Sequence, residues 1–534
     1  MLATQRGRAN LWYMHNGADT AVYFAYVRNV ADGRFFQRNL FGIEDQGSLI
    51  VNLFFNVLGW TARVTGLSVP VIMELSRLAV GLLLIRAVWW LVTLVVEETR
   101  ARRTALVAVC FFSGLGWTWL FSSRAGSGPP DFISPVVNTF YSVLFSSLFT
   151  VSLLLMVGVL GWAWRSEVER KARYAVASGV CAMLLGNIHS YDILTVVAIW
   201  LGVLAAAGFA KKLTWGTLGR VGIVAGFVAI ALFYQWYSLR AAGVLEHRDT
   251  VPTLTAPPLT VLLAFGLMVP LGLYAAWKAK DRFAHPEVFV AGSVFLLVWF
   301  GVNLLLGYAP VNFQRKLLLG SHIPIAILAG VGLAALTSAM QGMTRAFAWG
   351  TSVLLLSLTN LVVLREKVRF VLDEPSRAAV RPYLTPGEVD VIAWLQANTA
   401  PTSRIQAMPE FPIAGNEERR LTDGDPLDIT LPLLIPGLTG RAVYAAHWGE
   451  TPTFPKRLKE LYEFAKRETS DVRREAWLRD AKIDYLVVNR PAVGVDAYRD
   501  LVPFEVWLES PPPYLRRVFR SPSDPDAAVF EVVR

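Results

Sequence analysis

The chain has 534 residues, of which 54% are hydrophobic and 17% are charged, and its formal net charge is +10. A charged fraction below the roughly 25% of a soluble domain excludes a disordered chain, a coiled-coil rod and an ordinary soluble enzyme. Residues 365–534 carry 50 of the 92 charged residues and a net charge of −2, which leaves +12 on the first 364 residues. We therefore expect a polytopic membrane portion followed by a soluble domain. No basic stretch is interleaved with aromatic residues, so no nucleic-acid partner is expected.

The first predicted element is an outer segment, residues 1–69, that is rich in arginine and aromatic side chains. It contains no lysine, and its first five arginines are Arg6, Arg8, Arg28, Arg34 and Arg38. Arginine is preferred for bidentate contacts with phosphate. Asp19 precedes a short helical pattern with Tyr23 on its aromatic face. The segment suits a lipid-phosphate headgroup and a sugar, or else it is an amphipathic interfacial helix with Asp19 as its N-cap.

Ten apolar stretches have the length of a membrane-spanning helix, which needs about 20 apolar residues. They lie at 70–96, 105–122, 138–164, 174–188, 191–209, 219–237, 258–277, 286–307, 316–338 and 345–364. Every second loop is basic, and these loops hold 14 Lys or Arg residues, whereas the opposite loops hold five. The basic loops are 97–104, 165–173, 211–220, 278–282 and the turn at Arg345.

By the positive-inside rule the basic loops are cytoplasmic. The predicted domains are then an outer segment at 1–69, a transmembrane bundle of about ten helices at 70–364, and an extracytoplasmic α/β domain at 365–534. This count places the first segment outside without a preceding span. We expect either a start downstream of a first helix or outward insertion driven by the following spans.

Two polar pairs lie at outer ends of predicted spans. His189 and Asp192 stand three residues apart at a turn, where they could bind a sugar, a metal or each other, or Asp192 could simply cap the next span. Arg315 and Lys316 precede a span on the outer face. Because positive charges at this end run against the positive-inside trend, their presence favours a phosphate site. His322 lies nearly two turns inside that span.

Arg77 is a further candidate for phosphate contact, because it lies inside the first predicted span, where ionisable groups face a cavity or a partner. Glu74 is three residues earlier on the same helix, so the alternative is an internal pair between the two.

The C-terminal domain shows a mixed pattern of helices and strands. Thr385, Pro386 and Glu388 form a strong helix start, with the helix ending near residue 398. Short strands are predicted at 404–408, 441–445 and 484–488, and two charged helices at about 455–481, which indicates a small α/β domain. His447 lies in the sequence His-Trp-Gly-Glu, which is either a structured loop at a strand end or an acceptor-recognition element.

Several short motifs occur along the chain. Each alone is a weak sign of a family, and the order in which they follow one another is a stronger one. They are Gly17-Ala-Asp19-x-x-x-Tyr23, Leu58-Gly-Trp-Thr-Ala-Arg63, Ile188-His189-Ser-Tyr191-Asp192, Gln314-Arg315-Lys316 before His322-Ile-Pro324, and Tyr444-Ala-Ala-His447-Trp-Gly-Glu450. In this order they resemble GT-C fold glycosyltransferases, polytopic enzymes that take a sugar from a polyprenyl-phosphate donor. The likeness is to the bacterial mannosyltransferase and aminoarabinose-transferase group, which implies a prokaryotic inner membrane.

The resemblance implies a role for each candidate residue. Asp19 would be the catalytic base of an inverting transfer. Arg315, Lys316, Arg28 and Arg77 would bind the donor phosphate. Tyr23, His189, Asp192, His322 and His447 would contact substrate. No cofactor is required by these residues, and a divalent cation such as Mg²⁺ or Mn²⁺ is compatible with them.

The leading hypothesis is therefore a membrane glycosyltransferase whose partners are a lipid-linked sugar donor and membrane lipid, with its oligomeric state left open. A lipid flippase or transporter is the second hypothesis, and it predicts internal repeats with matching broken helices. A non-catalytic envelope-assembly protein that keeps the fold is the third.

Overall fold

The computed structural model describes residues 8–44, 50–121, 128–241, 252–372, 380–409, 430–489 and 504–534. The chain divides into two compact units. One unit, here called the mixed unit, comprises Met1–Glu74, Ser238–Thr250 and Phe370–Arg534. The other, the helical unit, comprises Leu75–Tyr237 and Val251–Arg369. The first and last parts of the chain, which the sequence treats as two separate domains, thus share one unit.

The α-helices of the described residues are numbered here in chain order. They are α1 (Gly17–Ala31), α2 (Leu53–Thr65), α3 (Val69–Val95), α4 (Thr99–Phe111), α5 (Pro130–Ile133), α6 (Thr139–Phe145), α7 (Ser147–Glu169), α8 (Ala172–Ile188), α9 (Ser190–Phe209), α10 (Trp215–Ala241), α11 (Pro258–Leu263), α12 (Met268–Lys278), α13 (Gly292–Leu306), α14 (His322–Leu336), α15 (Gly342–Leu356), α16 (Leu358–Leu372), α17 (Pro386–Asn398), α18 (Thr430–Thr439), α19 (Phe454–Ala465), α20 (Asp471–Asp480) and α21 (Phe504–Glu509). Short 3₁₀ helices occupy Gly116–Phe121, Pro135–Val137, Lys280–Arg282 and Gln314–Leu318.

Strands are confined to the mixed unit among the described ranges. They are β1 (Ala9–Asn10), β2 (Tyr383–Leu384), β3 (Arg404–Ala407), β4 (Ala442–Val443), β5 (Tyr485–Val488), β6 (Leu515–Arg520) and β7 (Ala528–Val532).

The predicted multi-pass membrane architecture is confirmed. Six helical segments in the described part of the chain are long and apolar enough to cross a membrane. They are Val69–Val95, Thr99–Phe121, Ser147–Glu169, Ser190–Phe209, Trp215–Ser238 and Gln314–Leu336. The pair α15 and α16, bent by 50°, makes a seventh, and two further predicted spans form the shorter apolar helices α8 and α13.

The span predicted at 258–277 is broken between α11 and α12. Gly266 lies in this break with a φ of +50°, a left-handed conformation that ends a regular helix. The backbone approaches Leu115 so closely here that an added Cβ would lie 3.1 Å from the Leu115 backbone N. The apolar composition of residues 258–277 does not indicate this break, because glycine is common in membrane helices and its presence alone does not predict an interruption.

The four long basic loops of the helical unit gather at one end of their helices. Two ion pairs join them in pairs: Glu98–Arg282, and Glu167–Arg220 at 2.6 Å. A hydrogen bond of 2.8 Å from Lys212 Nζ to the Phe289 carbonyl connects the two pairs, because Phe289 lies between the 278–282 loop and α13. Loops at 97–104, 165–173, 211–220 and 278–282 therefore share a face, as alternation across a membrane requires.

The mixed unit contains a five-stranded sheet in the order β4-β3-β5-β7-β6. β3 runs parallel to β4 and β5, whereas β7 runs antiparallel to β5 and β6. β1 pairs antiparallel with β2 and so attaches the first part of the chain to the C-terminal part. The helix start at Thr385 is a complete capping box with Glu388, as predicted. The three predicted strands correspond to β3, β4 and β5, while β6 and β7 escaped prediction.

The wholly buried helix α18 forms the centre of the mixed unit. All ten of its residues are buried, including Pro436 inside the helix. It packs against α1 so closely that a Cβ added to Gly437 would lie 2.5 Å from Phe24 Cβ and 3.1 Å from the Ala25 backbone N. The absence of a side chain at Gly437 is therefore what lets the two helices meet.

Gly437→Ala should lower the thermal midpoint of the purified protein, because its methyl group must displace the α1 backbone. Overpacking of this kind costs about 1–3 kcal/mol. Gly226→Ala in α10 is the matched control, since nothing lies within 4 Å of a Cβ built there. The control should leave the midpoint unchanged or raise it, because alanine is the better helix former. Equal midpoints for the two variants would contradict close packing of α1 on α18.

Asp131 is a buried carboxylate of the helical unit that sequence reasoning passed over. Its Oδ2 accepts hydrogen bonds from the backbone N of Gly114 (3.1 Å) and Gly116 (3.2 Å). Its Oδ1 has no hydrogen-bond partner among the described residues. Burial raises the pKa of Asp131 to about 7, so the folded protein holds this proton at a pH where an unfolded chain has released it.

A buried acid with a raised pKa stabilises the fold below its unfolded pKa and loses that contribution as pH rises through the folded pKa. The wild type should therefore lose thermal stability relative to Asp131→Asn between about pH 4 and pH 7. Thermal midpoints of both proteins across that interval measure the difference. A constant difference over the interval would contradict the raised pKa.

Candidate active site

Asp19 lies in the first turn of α1, in the mixed unit. The helix is capped by Asn16, which has a left-handed φ of 47° and whose Oδ1 accepts from Asp19 N at 3.5 Å. Asn16 Nδ2 also donates to the Asp19 carboxylate. The alternative that Asp19 is the N-cap is therefore wrong, and its carboxylate remains directed away from the helix axis with 40% of the side chain exposed.

His447 faces Asp19 from the turn that follows β4. The distance from His447 Nε2 to Asp19 Oδ1 is 3.7 Å, longer than a hydrogen bond, while the His447 side chain is only 5% exposed. Thr451 holds the turn: its Oγ1 accepts from His447 N at 3.2 Å, and its own N donates to the His447 carbonyl at 2.9 Å. The imidazole is thus held in a fixed turn beside a solvent-accessible carboxylate.

The hydrogen bonds of His447 define its tautomer. Its Nδ1 accepts from the backbone N of Gly449 at 3.0 Å and of Glu450 at 3.1 Å. A nitrogen that accepts two N–H groups cannot itself carry a proton, so the proton of the neutral ring is on Nε2. Nε2 has no hydrogen-bond partner among the described residues, and it is the atom directed at Asp19.

Two tyrosines and a glutamate complete what we call the Asp19 cluster, namely Asp19, Tyr23, Tyr26, His447 and Glu450. Tyr26 Oη donates to Glu450 Oε2 at 3.4 Å. Burial, followed by the negative charge of Asp19, raises the pKa of Tyr23 well above its usual value. The Tyr23 phenol therefore stays protonated and can act as a hydrogen-bond donor but not as a base.

Arg28, predicted to bind donor phosphate, is engaged inside the mixed unit. Its Nε lies 2.9 Å from Asp32 Oδ1, and its Nη1 donates to the Leu438 carbonyl at 3.4 Å. The contact with Leu438 joins α1 to α18, whereas the ion pair with Asp32 lies within α1 and its C-cap. The phosphate-binding role of Arg28 stays a prediction.

The helical unit brings together a second set of predicted residues. His189 Nδ1 lies 2.8 Å from Asp192 Oδ2, which also accepts from the Ser152 hydroxyl. Of the alternatives predicted for this pair, the structure therefore shows His189 and Asp192 bound to each other. Helix α9 begins at Ser190 with His189 as its N-cap, so Asp192 is not the cap.

Lys316 joins this set through an aromatic contact. Its Nζ lies 4.4 Å from the centre of the Tyr191 ring, and Tyr191 packs against His189 (5.8 Å) and Phe313 (4.8 Å). We call His189, Tyr191, Asp192, Phe313 and Lys316 the Lys316 cluster. Within the described residues neither Lys316 nor its half-buried neighbour Arg315 forms an ion pair, so both charges are available to an anion.

The other two candidates of the helical unit contact protein groups. His322 is 2% exposed, with Nδ1 2.9 Å from Thr139 Oγ1 and Nε2 2.9 Å from the Phe112 carbonyl. Both ring nitrogens thus have protein partners, and the substrate contact of His322 stays a prediction. Arg77 Nη1 donates to the Val143 carbonyl at 3.3 Å.

No three His, Cys, Asp or Glu side chains are grouped closely enough to hold a metal ion within the part of the chain that the structure describes. The sequence also predicts a loop at 238–257 that is either a flap over the site or a solvated loop, and its Glu246, His247, Arg248 and Asp249 lie outside the described residues.

Comparisons with known proteins give a likeness of fold. No protein-family model and no curated protein matches the chain. Among solved structures, the arabinofuranosyltransferase AftD from mycobacteria matches at 16% identity and a TM-score of 0.57, covering 100% of this chain and 39% of that one. The chain thus spans about two fifths of the length of AftD.

A second solved protein is similar over nearly its whole length. ArnT from Cupriavidus metallidurans bound to undecaprenyl phosphate matches at 12% identity and a TM-score of 0.54, covering 98% of this chain and 95% of that one. Its apo form matches at 13% identity and 0.52, covering 96% and 93%. At these identities the likeness concerns the fold, and it confirms the expectation drawn from the motifs: the chain is a multi-pass membrane protein with a GT-C-like fold and a C-terminal α/β region.

Proposed function

We propose that this protein is a membrane glycosyltransferase that moves a sugar from a polyprenyl-phosphate donor to an acceptor hydroxyl on the outer face of a prokaryotic inner membrane. The observation that carries the proposal is the Asp19–His447 pair, at 3.7 Å, in a chain with a GT-C-like fold. The solved ArnT structure with undecaprenyl phosphate supports a lipid-linked donor of this class.

In the proposed reaction Asp19 takes the proton of the acceptor hydroxyl. The acceptor oxygen forms a bond to the anomeric carbon from the side opposite the phosphate, which inverts the configuration there. The bond between the anomeric carbon and the phosphate oxygen breaks, and its electron pair leaves with the polyprenyl phosphate. A partly exposed carboxylate in the first turn of a helix suits this task, because a hydroxyl group can reach it.

His447 acts in this scheme as a positioning residue. Its Nε2–H is fixed by the two N–H groups donated to Nδ1 and is directed at Asp19 Oδ1. Catalytic hydrogen bonds are often long without substrate and shorten in the complex. Contraction of the 3.7 Å gap would orient the carboxylate through Oδ1, in addition to the hydrogen bond that Asn16 Nδ2 donates to Oδ2.

In the helical unit, Lys316 and Arg315 remain the predicted contacts of a donor phosphate. Lys316 and Arg315 are positive, half-buried and without ion-pair partners in the described ranges. Positive groups placed where negative charge develops stabilise a departing phosphate. The His189–Asp192 pair holds Tyr191, and thereby Lys316, in position.

Asp19→Asn should lower the rate of sugar transfer by about 10²- to 10⁴-fold, the usual contribution of a general base. The measurement is release of polyprenyl phosphate and of glycosylated acceptor from labelled polyprenyl-phosphate sugars by purified protein. Binding of the donor should persist, since the substitution changes neither the size of the side chain nor the helix.

Glu475→Gln is the matched control, because Glu475 belongs to the same unit and pairs with Arg479 on an exposed surface. It should transfer sugar at the wild-type rate. Normal transfer by Asp19→Asn would remove Asp19 from the mechanism. Movement of the lipid-linked sugar between leaflets without transfer would favour the flippase hypothesis instead.

Lys316→Met should raise the KM for the lipid-linked donor about ten- to a hundredfold, because it removes a charged contact to phosphate. Lys278→Met is its matched control: Lys278 Nζ lies 3.9 Å from the Trp277 ring centre, at the opposite, basic end of the helices. The two variants lose the same charge and the same cation–aromatic contact. An equal KM in both would show that Lys316 does not bind the donor.

A further inference from the structure

An exposed tryptophan lies directly beside the Asp19 cluster. Trp448 is 41% exposed, and its ring stacks on His447 with centroids 4.4 Å apart and planes 20° apart. His447 in turn faces Asp19. Because the imidazole covers one face of the indole, the exposed area belongs to the remainder of the ring system.

The backbone on either side of Trp448 is held firmly. Thr451 Oγ1 accepts from the backbone N of Ala446 and of His447, both at 3.2 Å. Asn39 Nδ2 donates to the Glu450 carbonyl at 2.8 Å. The exposed indole is therefore presented by a rigid turn, which lowers the entropic cost of binding a ligand against it.

The polar groups next to this aromatic surface are carboxylates. Asp19 is 40% exposed at its side chain, and Glu450 is half-buried with one oxygen near Tyr26 Oη. Carboxylate oxygens accept hydrogen bonds, so they suit a ligand that offers several hydroxyl donors. An aromatic face suits the C–H groups that a sugar ring presents on one side.

We propose that the acceptor is a saccharide, with one sugar ring stacked on Trp448 so that a hydroxyl group reaches Asp19. This inference rests on the proposed transferase function and names the acceptor class of that site. A free oligosaccharide and the sugar headgroup of a glycolipid share this chemistry. A polypeptide hydroxyl does not, because it brings no ring with a C–H face.

Binding is measured first, without donor, so that the result is independent of transfer. The full-length protein is titrated by ligand-observed NMR with soluble pentose and hexose oligosaccharides, with a glycolipid carrying the same terminal sugars in phosphatidylcholine vesicles, and with a serine- and threonine-containing peptide. We expect saccharide binding that weakens about tenfold in Trp448→Ala and is largely restored in Trp448→Phe.

Trp60→Ala is the matched control. Trp60 is 47% exposed in the same unit and packs against Phe35 at 6.1 Å. It should bind saccharides like the wild type, which separates a specific role of Trp448 from loss of any exposed indole. Asp19→Asn should also retain saccharide binding, because stacking on Trp448 does not need the base.

Transfer is then measured with the same acceptors. Trp448→Ala should raise the KM for the saccharide about tenfold and leave the KM for the lipid-linked donor unchanged. Preference for the soluble or the vesicle-bound sugar identifies the source of the acceptor, and either supports the proposal.

The proposal is overturned if no saccharide binds the wild type, if Trp448→Ala binds and uses saccharides normally, or if only the peptide is bound or glycosylated. Glycosylation of the peptide alone would leave the transferase function standing. Failure of the wild type to consume any lipid-linked sugar, with saccharide binding intact, would instead remove the transferase function and leave Trp448 as a saccharide contact.

Discussion

The packing of α1 on α18 is the constraint on which the geometry of the mixed unit depends. At Gly437 the two backbones come so close that no side chain fits between Gly437 and Phe24. From there α18 ends at Thr439, Gly440 turns the chain with a φ of +77°, and β4 follows at once. The turn with His447 comes directly after β4. The separation of α1 from α18 therefore sets where His447 stands relative to Asp19.

Sequence reasoning succeeded where local chemistry decides the structure. The apolar stretches became helices because each is long enough to satisfy its own backbone hydrogen bonds, and Thr385 with Glu388 formed the expected capping box. It failed at α18, because Pro436 and Gly437 read as a helix break and only tertiary burial overrides them. β6 was not predicted because its sequence lacks the alternation of apolar and polar residues that marks a strand. It contains three arginines, which an edge strand tolerates.

For the candidate site, too, the sequence indicates residue types, whereas the contacts between them come only from the structure. Asp19 and His447 were both singled out from their residue types, but their contact joins parts of the chain as distant as Tyr26 and Glu450, which are 424 residues apart. No local pattern reports a contact of that range. Conversely, Arg28 and His322 carry the chemistry of a binding residue, and only the structure shows that their polar atoms are engaged by neighbouring protein groups. An ionisable residue in an apolar sequence is therefore only a candidate for binding. The groups that it contacts in the structure indicate which role it can have.

The sharing of one unit by both ends of the chain bears on how the protein is made. Ribosomes deliver α1 before the helices of the helical unit, yet its partner α18 and the turn with His447 follow only after them. Until then the face of α1 that carries Phe24 and Ala25 lacks the α18 surface that packs against it. A nascent chain therefore holds Asp19 without its histidine throughout membrane insertion. The complete cluster can form only once the chain has been synthesised beyond Glu450, so shorter chains cannot assemble it.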